Sequence, residues 1–368
     1  MSKIGVLIID DSALLRRAFG RLLGADPGLE VLGAAADPIF AERYLARQWP
    51  DVIVLDLEMP RMDGLTFLKR LMRDRPTPVV ICSSLTQTGA RATLEALANG
   101  AFATVAKPHS GLQEFFQRQG PELVATIKAA AQANLPSSVA VAPRGQAPRP
   151  LPRRLPAATG PRPGAERIVL IGTSTGGVQA IERLLGDLPA QCPPLAIVQH
   201  MPAYFTKALA ERLDHLCAME VDEAQSGDQL LPGRVLIAPG DRHLLIQRSG
   251  RNYRVRLEDS PPVNRHRPSV DVLFHSAARV GGGANMLALL LTGMGADGAA
   301  GLLALRRTGA HTLAQDEASS VVFGMPRAGI EKGGAEAVLP LERMGAAVMG
   351  FARMGRVATV DRRGGETD

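Results

Sequence analysis

Short runs that are apolar at every position, rather than at every second one, punctuate this chain: residues 4–9, 52–55 and 79–82, then 168–171, 195–198 and 286–291, with 103–106 interrupted only by Thr104. Such runs are the mark of strands covered on both faces, as in a parallel sheet flanked by helices. Amphipathic stretches follow them, for example Leu14, Leu15, Phe19, Leu22 and Leu23 after the first run. Hydrophobic residues make up 46% of the chain and aromatics only 4%, so Ala, Leu, Val and Ile must build the cores. The fold class is therefore α/β. At 368 residues the chain exceeds one ordinary core and suits two domains joined by a connector.

The connector is visible in the composition. Residues 131–165 hold Arg144, Arg149, Arg153, Arg154 and Arg162, a series of prolines from Pro136 to Pro163, and no acid. A segment like this buries too little apolar surface to offset its ordering entropy and reads as an extended linker. It lacks the aromatics that stack on bases, so the net charge of +6 points to no nucleic-acid partner. Cys82, Cys192 and Cys217 form no C-x-x-C spacing, which argues against a disulfide framework and for a cytoplasmic location. The first residues reach Asp10 and Asp11 before a signal-peptide core could form, and no apolar run attains the roughly 18 residues of a membrane span. The protein is expected not to be membrane-embedded.

In the N-terminal part each apolar run ends in polar chemistry: Asp10-Asp11-Ser12, then Asp56, then Ser83-Ser84, then Lys107-Pro108. Carboxyl ends of parallel strands converge on one crevice, so Asp10, Asp11, Asp56, Ser83 and Lys107 are expected to meet. Three converging carboxylates repel one another unless a hard cation joins them, and Mg²⁺ takes few protein carboxylates while leaving room for phosphate oxygens. The cluster thus suits phosphoryl transfer to Asp56, with Lys107 and the Ser83 hydroxyl drawn onto the new phosphoryl oxygens. These residues resemble a response-regulator receiver domain, which implies a histidine kinase as phosphodonor. Thr104 stands where single-domain relatives commonly carry an aromatic switch residue.

In the C-terminal part the run at 168–171 leads into Gly172-Thr173-Ser174-Thr175-Gly176-Gly177 and then a helical stretch. A serine on a strand–turn–helix is raised above the sheet near free helix N–H groups, as a nucleophile would be. The same glycine-rich turn could instead cradle a phosphate. The rest of the domain favours the nucleophile. Gln199-His200-Met201-Pro202 and Gly293-Met294-Gly295-Ala296-Asp297-Gly298 follow two more apolar runs, which brings a base and a carboxylate to the same sheet edge. A serine hydroxyl needs a base, and the imidazole needs a carboxylate to fix its tautomer. Ser174, His200 and Asp297 fill those places. Asp271 competes with Asp297 for the third, and flanking glycines favour Asp297. His266 could line a substrate cleft, whereas His243, His275 and His311 lie among apolar residues and read as core or surface histidines.

Residues 166–342 closely resemble the catalytic domain of chemotaxis protein-glutamate methylesterases, through the segments above together with 267–271 and 315–326. The resemblance implies two doubly wound parallel-sheet domains: a flavodoxin-like receiver at 1–128 and a methylesterase α/β domain at 166–352, with a linker at 129–165 and a flexible tail at 353–368. It implies hydrolysis of glutamate γ-methyl esters on methyl-accepting chemoreceptors, with deamidation of receptor glutamines as a second activity. By the same resemblance Ser174 is the nucleophile, His200 the base and Asp297 its orienter, with Thr175 and Met294 in support. Mg²⁺ serves the receiver at Asp10, Asp11 and Asp56, and ester hydrolysis needs no cofactor. Phosphorylation of Asp56 is expected to relieve inhibition of the esterase.

Overall fold

The computed structural model describes residues 2–84, 86–107, 112–133 and 167–354, which fall into two compact units, Met1–Ala147 and Pro148–Asp368. Most of the proline- and arginine-rich linker and all but the start of the tail lie outside the described residues, as does Pro108.

The first unit alternates strand and helix: β1 (Ile4–Ile9), α1 (Ala13–Gly24), β2 (Leu29–Ala35), α2 (Pro38–Leu45), β3 (Val52–Asp56), α3 (Gly64–Asp74), β4 (Val79–Ser83), α4 (Gln87–Ala98), β5 (Ala103–Ala106) and α5 (Leu112–Ala131). All strand pairs are parallel, in the order β2-β1-β3-β4-β5, the flavodoxin-like arrangement. Val6, Ile8, Ile9, Val52, Ile53, Leu55, Val79, Val80 and Ile81 are fully buried, as an apolar run covered on both faces requires. Helix starts are set by local chemistry: Ser12, Asp37 and Asp63 each cap a helix by accepting a backbone N–H from the first turn. Helix α5 continues past residue 128 to Ala131.

The second unit is built on a seven-stranded sheet, all of whose pairs are parallel. Its elements are β6 (Ile168–Thr173), α6 (Gly177–Gly186), β7 (Leu195–Gln199), α7 (Ala203–Leu216), β8 (Glu220–Glu223) and β9 (Arg234–Ile237). After β10 (His243–Ser249) and β11 (Asn252–Glu258) come α8 (Val270–Arg279), β12 (Met286–Leu290), α9 (Ala299–Arg307), β13 (His311–Gln315), α10 (Met325–Glu331), β14 (Ala337–Leu339) and α11 (Leu341–Met354). The order is β14-β13-β12-β6-β7-β9-β8, with β10 and β11 forming a separate antiparallel hairpin. The chain leaves β6 towards β7 and returns to β12 on its other side, so β6 and β12 flank the point where the winding reverses. Ligands of open α/β sheets bind outside the carboxyl ends of the strands at such a point. Among the described residues no helix is long and apolar enough to cross a membrane.

Candidate functional site

Register puts the serine and the histidine side by side. Thr173 at the end of β6 pairs with Gln199 at the end of β7, so the next residues, Ser174 and His200, leave neighbouring strands at the same level. The turns are pinned to one another by hydrogen bonds: His200 N donates to Thr173 O (3.1 Å) and Ser174 N to Thr292 O (3.0 Å). Gln199 Nε2 donates both to Ser174 O (2.9 Å) and to His200 O (3.2 Å). On the other side the Thr292 hydroxyl donates to Thr175 O (2.9 Å). A side chain at Gly293 would collide with Ser174 Cβ and Met325 Sδ, which is why glycine is needed there. Gly176 takes a left-handed conformation (φ 78°) and opens α6, whose first turn carries no side-chain cap. The Gly177 N–H turns back to Ser174 O (2.8 Å), and the positive end of α6 therefore lies next to the serine.

Asp297 lies beyond β12 and is buried. Its Oδ2 contacts His200 Nε2 at 2.8 Å and accepts the Val270 N–H at 2.6 Å. Oδ1 accepts from Asn264 Nδ2 (2.7 Å), Ser269 Oγ (2.8 Å) and Asp271 N (3.3 Å). Val270 and Asp271 begin α8 and Ser269 caps it, so the carboxylate sits on a helix N-terminus where negative charge is favoured. Burial raises the Asp297 carboxyl, but the hydrogen bond and charge of His200, with Asn264 and Ser269, outweigh it and hold the group well below the usual carboxylate range. An ionised carboxylate only accepts, so His200 Nε2 carries a proton, and in the neutral form of the ring Nδ1 holds the lone pair. That nitrogen is buried and has no hydrogen-bond partner. Asp297 and His200 are thus joined, whereas the Ser174 hydroxyl is not hydrogen-bonded to the ring.

Asp271, the competing carboxylate, is turned away from His200 and accepts from Gly301 N (2.6 Å) and Asn264 Nδ2 (2.8 Å). His266 stacks flat on His200, ring centroids 3.7 Å apart and 9° from parallel. Burial, then the neighbouring His200, lowers its pKa to about 4, so it lies there as a neutral ring. His243 is buried between Pro261 O and Ser269 N, and His311 pairs with Glu336. The sequence reading missed Gln199, Asn264 and Ser269, three neutral polar residues whose only early signal was their place beside the histidine and within 264–271. Thr175 follows the serine and is held by the Thr292 hydroxyl, and Met294 follows Gly293, the residue packed against Ser174 Cβ.

In the first unit Asp10, Asp11 and Asp56 bring carboxylate oxygens within 4.8 Å of one another. Lys107 Nζ lies 2.6 Å from Asp56 Oδ2, and Glu58 N donates to Oδ1 at 2.9 Å. Burial would lower the Lys107 ammonium, but its bond to Asp56 and the charges of Asp56 and Asp10 outweigh this and raise it, so it stays charged. Burial and then the Asp56 charge push Asp10 up to about 6. Its Oδ2 is buried without a hydrogen-bond partner, a vacancy in the bonding that suits a hard cation. Ser83 does not join this group through a hydrogen bond. Its hydroxyl accepts from Thr93 Oγ1 at 2.6 Å, which turns it towards α4.

Comparison with known proteins gives matches over both units. Residues 6–130 match the family model of the response regulator receiver domain, and residues 169–348 that of the CheB methylesterase. The protein-glutamate methylesterase/protein-glutamine glutaminase 2 of Xanthomonas campestris pv. campestris is 54% identical over 344 residues, spanning 92% of this chain and 97% of that protein. Its counterpart from Hahella chejuensis is 50% identical over 368 residues, 96% of this chain and 100% of that protein. The crystal structure of the Thermotoga maritima CheB methylesterase catalytic domain is 39% identical and covers 51% of this chain and 99% of that one, with a TM-score of 0.49.

Proposed function

The chain belongs to the CheB methylesterase family, and on that premise we propose that Ser174 is its nucleophile, His200 the base and Asp297 the carboxylate that orients the base. It is a protein-glutamate methylesterase with a receiver domain in front, which demethylates chemoreceptors and deamidates their glutamines under control by phosphorylation. Family membership displaces the phosphate-cradle reading of 172–177.

One observation carries the residue assignment: His200, beside Ser174 in register, gives Nε2 to a strongly acidic Asp297 and keeps an unpartnered Nδ1. When a methyl ester enters, the Ser174 hydroxyl attacks the carbonyl carbon as Nδ1 takes its proton. The Ser174–His200 contact closes in the substrate complex, as catalytic hydrogen bonds that are loose in free enzymes commonly do. Charge on the carbonyl oxygen is met by N–H groups at Thr175 and Met294 beside the uncapped start of α6, and one such donor is typically worth about 3–4 kcal/mol of barrier. The imidazolium then hands its proton to the departing methanol. Water, activated by the same nitrogen, releases glutamate from the acyl-enzyme. A glutamine side chain follows the same path with ammonia leaving.

In the receiver, Asp56 is the phosphoryl acceptor from a histidine kinase. Asp10, Asp11 and Asp56 would hold Mg²⁺, which when bound offsets the negative charge gathered around the transferring group. Lys107 already reaches Asp56 and would follow its phosphoryl oxygens, and Ser83 would have to leave Thr93 to do the same.

Methanol release from methylated receptor membranes tests the esterase assignment. Ser174→Ala should abolish release, a loss of at least about 10³-fold, while Asp56 still takes up phosphate. Near-parental release would place the nucleophile elsewhere.

A further inference from the structure

Residues 263–266 form a tight turn. Val263 and His266 exchange backbone hydrogen bonds (3.0 and 2.9 Å), and the two residues between them, Asn264 and Arg265, both have left-handed backbone angles (φ 52° and 69°). Positive φ at both central positions is the mark of a two-residue hairpin turn of the I′ kind, in which asparagine is favoured. That alone would explain Asn264. Its side chain, however, points inward and donates from Nδ2 to two buried carboxylates, Asp297 Oδ1 at 2.7 Å and Asp271 Oδ2 at 2.8 Å. Both amide hydrogens are thereby used on acids that otherwise repel each other. The turn also delivers His266 onto the face of His200.

We propose that Asn264 is a positioning residue for ester hydrolysis, its amide fixing the rotation of the Asp297 carboxylate that holds the His200 imidazole. This rests on the assignment of Ser174, His200 and Asp297 made above. With Oδ1 held by Asn264 and Ser269, Oδ2 is the oxygen left to face His200, and Nε2 is the ring nitrogen that must donate. The charged or titratable groups around the amide are Asp271 and Asp297, with His200 and His266 beyond them and Arg265 next in the chain. Asn264 itself is exposed, so its removal admits water to the two acids instead of stranding them. The loss should therefore fall on orientation more than on stability.

Two variants of the full chain separate the amide from the turn. Asn264→Gly keeps, and even eases, the left-handed backbone while deleting the donor. Asn264→Asp tolerates the same backbone but sets a third carboxylate against the pair. Glycine should lower kcat for methanol release about 10- to 100-fold with KM within about twofold, as loss of an outer-shell orienting group does. The strongly deshielded proton NMR signal of His200 Nε2–H should broaden or vanish in the same variant. Aspartate should lose at least as much activity, and it decides the matter if the glycine variant folds poorly. Parental kcat and an intact resonance in either folded variant would overturn the inference and leave Asn264 as a turn residue. Were Ser174→Ala active instead, the assignment beneath would fall first, and the two failures are distinguishable.

Discussion

Replacing Asp297 with asparagine probes the proposed catalytic group at its one fixed charge. The carboxylate has two unlike sides. Oδ2 faces His200 Nε2 and the Val270 N–H, while Oδ1 faces the Asn264 amide, the Ser269 hydroxyl and, more distantly, Asp271 N. In the variant one side becomes an NH₂. On the Oδ2 side it would confront a backbone N–H that cannot accept; on the Oδ1 side it meets the Ser269 hydroxyl, which can turn to accept. The new nitrogen therefore takes the Oδ1 side, the oxygen stays on His200, and the lone pair remains on Nδ1. The tautomer survives and the charge is lost. An imidazolium with a negative charge about 4 Å away gains roughly 4 kcal/mol at an effective dielectric of about 20. At about 1.4 kcal/mol per factor of ten, kcat should fall about 10³-fold while KM changes little. The assay is methanol release by the full chain from methylated receptor membranes, with thermal unfolding as the check on folding. A kcat within tenfold of the parent would refute the role given to Asp297.

Two further outcomes are expected. His266 has a folded pKa of about 4 against 6.5 for the free side chain, so as pH falls from 6.5 to 4 the unfolded chain gains a proton that the folded ring refuses. Its stabilisation, at most about 3 kcal/mol, is present above pH 6.5 and is lost through that window, and denaturant titrations should show His266→Gln flattening the slope. Asp56→Asn should keep basal methanol release but lose its stimulation by acetyl phosphate, and chelation of divalent cations should do the same to the parent. Stimulation that survives both treatments would place the control elsewhere.

Much of this molecule was legible because its strands are apolar throughout and end abruptly. Leu170 and Ile197 announce buried parallel strands, and the polar residue after such a strand can only lie at the sheet edge, which located Ser174, His200 and the Asp10–Asp56 group. What escaped was structure whose pattern is weaker. Strand β2 lies at the edge of its sheet with Glu30 exposed and several neighbours half-covered, so no unbroken apolar run marks it. The β10–β11 hairpin turns at Ser249-Gly250-Arg251, with Gly250 left-handed, and β11 alternates buried Tyr253 and Val255 with more exposed residues between them, a period of two that a search for continuous runs passes over. Asn264 and Ser269 were hidden for another reason: their importance lies in what they donate to across a turn, and a neutral amide or hydroxyl carries no charge by which to notice it. The expected meeting of Ser83 with Asp56 depended on a side-chain rotation, and Thr93 holds that hydroxyl.

The seat of Asp297 on the first turn of α8 limits how far a proton can travel. A carboxylate that accepts from a helix terminus, a hydroxyl and an amide at once has no lone pair to spare and little basicity left, so in the proposed mechanism a proton released by Ser174 would stop at the imidazole. Nothing further along competes for it. Each cycle of the proposed mechanism would then keep one proton in circulation between alcohol, ring and leaving group, and methanol would depart without having to retrieve it from the acid behind.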